Sequence, residues 1–248
     1  ELIGYACALL RTGEAEVILS GGTDGCVLPG MIFGFSRMRA VSTHYNDRPG
    51  QASRPFDKGR DGFVPGEGCG VLVLEELEHA EARGARILAE LIGYGATADA
   101  SHITLPAPGG IGAVRAAQRA ISKAGIDAAA IDHVNAHATS TPEGDKAELQ
   151  AIRTIFGDRA PTISITANKS MLGHTLGAAG AIESVVTIQT IRESCVPPTI
   201  NLVDPDDEAR DLDMTPNRSQ ARDVRVALSN SFGFGGQNTA LIFRRWEA

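Results

Sequence analysis

Two histidine-centred segments carry most of the chemistry that this chain of 248 residues could perform. The first, at 135–145, reads NAHATSTPEGD and places His137 between an apolar run and a helix-compatible stretch. The second, at 168–174, reads NKSMLGH and contains both Lys169 and His174. A neutral imidazole whose Nδ1 is engaged can donate a hydrogen bond through Nε2, which suits it to polarising a carbonyl. If the two segments meet in space, they predict a site for carbonyl chemistry.

Structural interpretations of the same residues stay open at this point. A lone histidine at a strand end is more often structural than catalytic. Lys169 lies among small residues and must pair, because an unpaired buried ammonium is too costly. Glu183, in the otherwise apolar stretch 178–192, is its predicted partner, and a plain buried ion pair remains an alternative. Glu143 and Asp145 are interpreted as first-turn acids that suit the helix dipole.

A third segment, NSFGFGGQN at 230–238, is rich in glycine and lies between two predicted strands. Its glycines permit a tight reversal that would hold Phe234 and its backbone N–H at a fixed point. A plain glycine-rich hairpin explains the glycines but not the phenylalanines. The glycines at 66–70 and 173–180 lack the order of a dinucleotide or phosphate loop, so nucleotide binding is not expected.

The composition, 43% hydrophobic and 21% charged, is typical of a globular protein. A net charge of -7 disfavours binding to nucleic acid or to an anionic membrane surface. No apolar run reaches the ~18 residues needed to cross a bilayer, and the cytoplasm is the expected compartment.

Cys7, Cys26, Cys69 and Cys195 form no CxxC pair, so no metal site is predicted. Each thiol is predicted to be buried.

Strand and helix patterns alternate almost throughout, which predicts an α/β fold with a central, mostly buried sheet. Residues 42–68 are predicted to be ordered but irregular, with internal ion pairs, and residues 25–34 to be a loop that turns helical towards Met38. The run at 16–20 is typical of a buried strand in a parallel sheet that ends at Gly21. The predicted helices are 1–11, 76–84, 111–124, 143–156 and 178–192, and the predicted strands are 16–20, 70–77, 87–95, 131–136, 162–166, 223–229 and 239–244.

Taken together, these motifs resemble the β-ketoacyl-acyl-carrier-protein synthases, the elongating condensing enzymes of fatty acid synthesis, and most of all the bacterial synthase II group. The resemblance covers residues 1–245 and rests on the three segments above, on VPPTINL at 196–202 and on SRPFDKGRDGFVPGEG at 53–68. It implies a thiolase-like layered fold (α-β-α-β-α), incomplete here because the N-terminal part is missing. Residues 1–85 would be the remainder of the N-terminal half and residues 86–248 the C-terminal half.

The resemblance also implies a Cys-His-His site and a role for each matching residue. A cysteine would take an acyl chain from acyl carrier protein, and the two histidines would bind the thioester carbonyl of malonyl carrier protein. Decarboxylation would then give an enolate that attacks the acyl-cysteine and lengthens the chain by two carbons. The implied catalytic residues are His137, His174, Lys169 with Glu183, and Phe234 as a gate beside an oxyanion-hole N–H; the implied substrate-binding residues are Thr139 and Thr141 for the pantetheine arm and Thr104 for the malonyl carboxylate.

Substrates would arrive on the phosphopantetheine of acyl carrier protein, with no other cofactor, and the intact protein is expected to form a homodimer. Two departures from the family's pattern matter. Ala138 stands where the family usually has glycine, and tolerance is expected. The nucleophilic cysteine is absent: it is expected a few positions before Glu1, and Cys7 lies inside the first predicted helix.

This chain is therefore predicted to be inactive in condensation, although weak malonyl decarboxylation could survive. Two alternatives stay open for the intact protein. One is a non-catalytic subunit like the chain-length factors of aromatic polyketide systems, and the other is a polyketide ketosynthase. The residue at the upstream elbow would decide the first question, because cysteine supports an enzyme and glutamine supports a chain-length factor.

Overall fold

A computed structural model describes residues 1–247 of the chain. Its helices are α1 (Leu2–Arg11), α2 (Pro29–Arg37), α3 (Leu77–Ala82), α4 (Ile111–Ala124), α5 (Pro142–Phe156), α6 (Lys169–Leu172) and α7 (Ala179–Glu193). Its strands are β1 (Val17–Asp24), β2 (Gly68–Glu75), β3 (Glu90–Ala98), β4 (His133–Asn135), β5 (Ser164–Thr166), β6 (Cys195–Val196), β7 (Gln220–Ala221), β8 (Val226–Gly233) and β9 (Gln237–Arg244).

A five-stranded mixed sheet, in the order β3-β9-β8-β4-β5, forms the centre of the fold. The strands β3, β9 and β8 are antiparallel neighbours, whereas β4 runs parallel to both β8 and β5. Leu149 and Ile152 of α5 pack in one buried cluster with Val134 of β4 and Leu228 of β8. The same cluster takes in the alanine face of α4, so α4 and α5 cover one side of the sheet.

The helix α7 lies between two sheets. Its residues Ile188 and Ile191 share a buried cluster with Leu241 and Phe243 of β9, and with Leu72 of β2 on the other side. This arrangement explains why the sequence of α7 is apolar on nearly every side. The described residues therefore stack as α4 and α5, the five-stranded sheet, α7 with α1, and the β1-β2 pair, which is α/β layering as predicted.

The prediction of a buried parallel strand at 16–20 is wrong. The strand β1 pairs antiparallel with β2 and continues through Gly21 and Gly22, and Val17 and Leu19 are exposed. A Cβ on Gly21 would meet the Gly70 carbonyl oxygen at 2.1 Å, and one on Gly22 would meet the Gly177 carbonyl oxygen at 2.4 Å. These glycines permit close backbone contacts inside the strand and do not end it.

Most other predicted elements are present, with shifted boundaries. The strand predicted at 87–95 lies at Glu90–Ala98, and those predicted at 131–136 and 162–166 shorten to three residues each. The segment 25–34, predicted to be mainly a loop, contains most of α2. In contrast, α4 begins and ends as predicted, because Gly125 adopts a left-handed conformation (φ 66°) that ends the helix.

Residues 42–68 are ordered and irregular, as predicted, but only part of their ion pairing is internal. Arg54 Nε lies 2.9 Å from Asp57 Oδ1 within the segment. Arg60 instead reaches out to Asp145 (3.6 Å) and Asp206 (2.6 Å). The segment is therefore held against the first turn of α5, which follows the loop that carries His137.

Two smaller findings complete the fold. Within residues 1–247, no helix is both long and apolar enough to cross a membrane. The prediction of four buried thiols is wrong, because Cys26, Cys69 and Cys195 are exposed and Cys7 is half-buried. Cys69 lies on the outward-facing side of β2, where the alternation of the strand overrides the apolar character of its neighbours.

Candidate active site

A cavity of about 800 Å³ opens beside the end of β4 that leads into α5. Its size lies within the usual range for small-molecule sites. Six of the predicted site residues line it: Thr104, His137, Thr139, Thr141, His174 and Phe234. The remaining two, Lys169 and Glu183, are almost fully buried behind the cavity wall. The structure thus brings together the segments that are far apart in sequence.

His137 and His174 face each other edge to face, with ring centroids 5.4 Å apart and planes at 84°. The backbone N–H of Leu176 donates to His174 Nδ1 at 3.3 Å. The ammonium of Lys169 lies 3.2 Å from His137 Nδ1 and can only donate. Because both Nδ1 atoms act as acceptors, both neutral rings carry their proton on Nε2.

Both rings stay neutral at physiological pH. Desolvation lowers the pKa of His174 to about 3, and the nearby positive charge of Lys169 adds to the effect. Desolvation also lowers the pKa of His137 well below its ordinary value, and the positive charge of Lys169 and the neighbouring His174 ring add to the effect. Two neutral Nε2–H donors at one cavity suit a developing oxyanion, whereas a catalytic base would need a pKa closer to neutrality.

Lys169 fills all three of its donor positions behind His137. Its ammonium donates to the His137 carbonyl oxygen at 2.6 Å, to His137 Nδ1 and to the carboxylate of Glu183. Burial raises the pKa of Glu183 to about 7, although Lys169 opposes the rise. The pair therefore fixes both the position and the tautomer of His137, which a plain structural ion pair would not need to do.

Glu148 is a site residue that the sequence analysis missed. Its buried carboxylate accepts hydrogen bonds from the backbone N–H groups of His137 (2.9 Å) and Ala138 (2.7 Å) and from Asn230 Nδ2 (3.0 Å). Burial raises the pKa of this carboxyl group. A signal was available, because Glu148 falls on the apolar face of α5 together with Leu149 and Ile152.

Asp145 is buried and binds backbone N–H groups of two loops, so its interpretation as an acid that only stabilises the helix dipole is incomplete. Asp145 accepts the N–H groups of Ser140 (3.1 Å) and Phe56 (2.9 Å). Burial raises its pKa to about 7, and the nearby charge of Arg60 opposes the rise. Ser140 has a positive φ of 69°, and these bonds hold that unfavourable conformation in place. Glu143, by contrast, is exposed.

The three threonines lie on two separate loops at the cavity. The hydroxyl oxygens of Thr139 and Thr141 are 3.0 Å apart and lie just before α5. Thr104 belongs to the loop after β3 and is half-buried. Hydroxyl groups on a largely apolar lining could bind the amide and carboxylate groups of a narrow substrate.

Phe234 occupies the turn between β8 and β9, and its side chain is 47% exposed. The strands extend further than predicted, so that NSFGFGGQN is mostly strand with a turn at Phe234, Gly235 and Gly236. Its ring lies 6.2 Å from that of Phe35. The N–H of Gly235 is already bound to the carbonyl oxygen of Ile103, at 2.7 Å. A gate and an oxyanion-hole N–H remain predictions for this turn.

None of the four cysteines lies in the lining of the cavity among residues 1–247. Cys7, inside α1, has its thiol 3.9 Å from the carbonyl oxygen of Leu91, and burial raises its pKa. A thiol with a raised pKa is a poor nucleophile, because the thiolate is the reactive form. The histidine pair therefore lacks a thiol partner within this chain.

Comparison with known proteins identifies two matching families. Residues 2–80 match the family "Beta-ketoacyl synthase, N-terminal domain", and residues 88–203 match "Beta-ketoacyl synthase, C-terminal domain". A 3-oxoacyl-[acyl-carrier-protein] synthase 2 of Rhizobium meliloti (strain 1021) is 50% identical over 244 residues. That alignment covers 98% of this chain but only 58% of the relative, so the chain spans less than two thirds of the relative's length.

Solved structures with the same fold come from polyketide systems as well. A type II PKS acyl-carrier protein in complex with its ketosynthase, bound to the hexaketide, has a chain that superposes with a TM-score of 0.95 at 39% identity. The match covers 99% of this chain and 60% of that one. The ishigamide ketosynthase/chain length factor gives a TM-score of 0.91 at 40% identity, covering 99% and 58%. The thiolase-like fold expected from the resemblance is thereby confirmed.

Proposed function

The chain belongs to the β-ketoacyl synthase family, and we propose that the complete protein is an acyltransferase that elongates fatty acids as a 3-oxoacyl-[acyl-carrier-protein] synthase of type 2. The proposed reaction joins malonyl carrier protein to an acyl group held on the enzyme, with loss of CO2. The observation that carries the proposal is the pair of neutral histidines with both Nδ1 atoms occupied. The 50% identity to the Rhizobium meliloti synthase supports the proposal that the complete protein acts in fatty acid elongation.

In the proposed reaction, this chain supplies the malonyl half of the chemistry. The Nε2–H groups of His137 and His174 donate to the thioester oxygen of the malonyl group. When the bond from the methylene carbon to the carboxylate breaks, CO2 leaves. The electron pair of that bond stays on the methylene carbon and delocalises into the thioester carbonyl, which gives an enolate. The negative charge then rests on the oxygen between the two donors. Because this charge develops only as the bond breaks, the donors stabilise the transition state more than the bound substrate.

The acyl half of the reaction requires a thiol that this chain does not place at the cavity. In the complete protein, the enolate carbon would attack the acyl-cysteine carbonyl and expel the cysteine thiolate. In this chain alone, a solvent proton would instead quench the enolate and leave an acetyl thioester. We therefore expect decarboxylation without condensation from residues 1–248.

Acyl carrier protein is the proposed partner, because a solved relative is a ketosynthase in complex with its acyl-carrier protein. Thr139 and Thr141 would meet the pantetheine arm, Thr104 the malonyl carboxylate, and Phe234 would gate the cavity. No cofactor beyond the phosphopantetheine is proposed. A homodimer in the cytoplasm remains the expected state of the complete protein.

The test measures release of labelled CO2 from malonyl-pantetheine by this chain. We expect His137→Ala and His174→Ala each to lower the rate by about 10²–10³, the usual cost of losing one oxyanion donor. His174→Gln should retain part of the rate, because its amide N–H can replace Nε2–H. His44→Ala, at an exposed histidine outside the cavity lining, is the matched control. Equal rates for the wild type and both alanine variants would refute the proposal.

A chain-length-factor-like subunit is the second candidate, since a ketosynthase/chain length factor structure is also similar. The retained histidine pair, with its lysine, argues against a subunit that has lost its catalytic role. Reading the residue at the upstream strand-to-helix elbow separates the two, with cysteine supporting the synthase and glutamine the chain-length factor. A polyketide ketosynthase would be identified by turnover of polyketide intermediates in preference to simple acyl chains.

A further inference from the structure

The loop at 99–107 carries Thr104 to the cavity wall with little regular structure of its own. Its two ends are joined by Asp99, which accepts the N–H of Ala107 at 2.9 Å. Asp99 also accepts Asn238 Nδ2 at 2.7 Å, which ties this end to β9. These bonds fix where the loop begins and ends, but they do not reach its middle.

The middle of the loop is organised by an exposed histidine, His102. The backbone N–H groups of Thr104 and Leu105 both donate to His102 Nδ1, at 3.1 and 3.0 Å. The Thr104 hydroxyl lies 3.4 Å from the same nitrogen. The lone pair of His102 Nδ1 thus accepts hydrogen bonds from two consecutive N–H groups, as the side-chain oxygen of Asn or Asp does in an Asx turn.

This turn also contacts the Phe234 turn, which lines the same cavity. The carbonyl oxygen of Ile103 accepts the N–H of Gly235 at 2.7 Å, and Gly236 accepts the N–H of Asp99 at 2.8 Å. The residue between His102 and Thr104 therefore makes a direct bond to the turn beside Phe234. A change in the His102 turn would displace both loops together.

We propose that His102 is a positioning residue that holds Thr104, and through Ile103 the Phe234 turn, at the cavity through the lone pair of its Nδ1. The role needs an acceptor one bond beyond Cγ, which neither a hydrocarbon nor a cationic side chain provides. Asparagine places Oδ1 at nearly the same point, so it can replace histidine in this role. Thr104 would present its hydroxyl to the malonyl end of the substrate, a part of the inference that rests on the proposed function.

Hydrogen exchange on this chain tests the positioning role without any assay of activity. In His102→Leu, the amides of Thr104 and Leu105 should exchange about tenfold faster, as expected for losing a local hydrogen bond. The amide of Gly235 should follow, whereas those of β8 should not change. His102→Asn should stay near the wild-type rates, and His44→Leu serves as the control for removing an exposed histidine. Unchanged exchange in His102→Leu, or equal acceleration in His102→Asn, would overturn the proposal.

A second measurement separates positioning from a general loss of fold. In the malonyl-pantetheine assay, we expect His102→Leu to raise KM about tenfold with a smaller change in kcat, and His102→Asn to restore most of the loss. A fall in kcat alone, without rescue by asparagine, would contradict the role. If the wild-type chain releases no CO2, the proposed function fails, while the exchange rates still decide the role of His102.

Discussion

Replacing Lys169 by methionine should destabilise the protein in a way that depends on pH. The substitution keeps an unbranched apolar stem out to Cε but removes the ammonium that pairs with Glu183. Removing one partner of a buried ion pair costs about 3–5 kcal/mol when the other charge stays buried. Here the cost should be smaller at low pH, because the remaining carboxyl group of Glu183 can take up a proton and become neutral.

The pH window follows from the pKa of Glu183, which burial raises from an ordinary value of 4.5 to about 7. A raised pKa means that the folded state binds the proton more tightly than the unfolded state. The resulting stability is complete below pH 4.5 and is lost as the pH rises through about 7. At about 1.36 kcal/mol per tenfold change in proton affinity, this rise corresponds to about 3 kcal/mol.

Lys169 opposes the rise, so its removal should move the pKa of Glu183 higher still. Lys169→Met should therefore lose about 3 kcal/mol relative to the wild type near pH 8, where the wild type holds an ion pair. Near pH 5.5 the loss should shrink to about 1 kcal/mol, because Glu183 is then protonated in both proteins. Urea unfolding at the two pH values measures the difference.

A double variant separates the charge from the packing. Lys169→Met with Glu183→Gln removes both charges and should recover most of the stability at pH 8. It should not recover decarboxylation, because the donor that engages His137 Nδ1 is still missing. Lys146→Met, at an exposed lysine of α5, is the matched control. An equal loss at both pH values, or no recovery in the double variant, would refute the reasoning.

Two further predictions follow from the same site. The rate of decarboxylation should stay nearly flat as the pH falls from about 8 to about 5, because the pKa of His174 is about 3 and the neutral donor persists, and because protonation of Glu183 near pH 7 leaves the Lys169 donor to His137 in place. A rate that falls about tenfold per pH unit below about 6.5, in Glu183→Gln as well as in the wild type, would instead indicate a histidine acting as a base. Glu148→Gln should lower the free energy of unfolding by about 1–3 kcal/mol, because the amide NH2 would replace one of the two carboxylate oxygens and so face at least one of the three N–H donors that converge there. Urea unfolding checks this second prediction, with Glu143→Gln, an exposed acid on the same helix, as the control.

The layering of the fold was predictable from periodicity, but the pairing of its outer strands was not. α4 satisfies both the helical spacing of its apolar residues and the glycine that ends it, so its bounds could be predicted. β1 has a short apolar run that fits a parallel or an antiparallel strand equally well. Only the position of β2, which lies more than forty residues away, decides its direction and which side chains are exposed.

The residues of the site fall into the same two groups: some can be recognised from residue type alone, whereas the role of others depends on how the backbone folds. His137, His174 and Lys169 could be found because reactive side chains in small-residue surroundings are unusual. The apolar face of α5 marks Glu148 as unusual, but its role could not be assigned, because two of its three partners are backbone N–H groups whose direction depends on the path of the loop after β4. His102 carries no signal in its neighbours, since what it holds is again the backbone.

The buried pair of Lys169 and Glu183 is better explained by chemistry than by stability. A buried ion pair contributes little net stability compared with apolar side chains of similar size. The ammonium nevertheless does what an apolar side chain could not: it donates to His137 Nδ1 and so places the ring proton on Nε2. The same positive charge helps lower the pKa of both His137 and His174. One buried cation thus sets the tautomer of one ring and helps keep both rings neutral, and Glu183 is needed because that cation could not be buried alone.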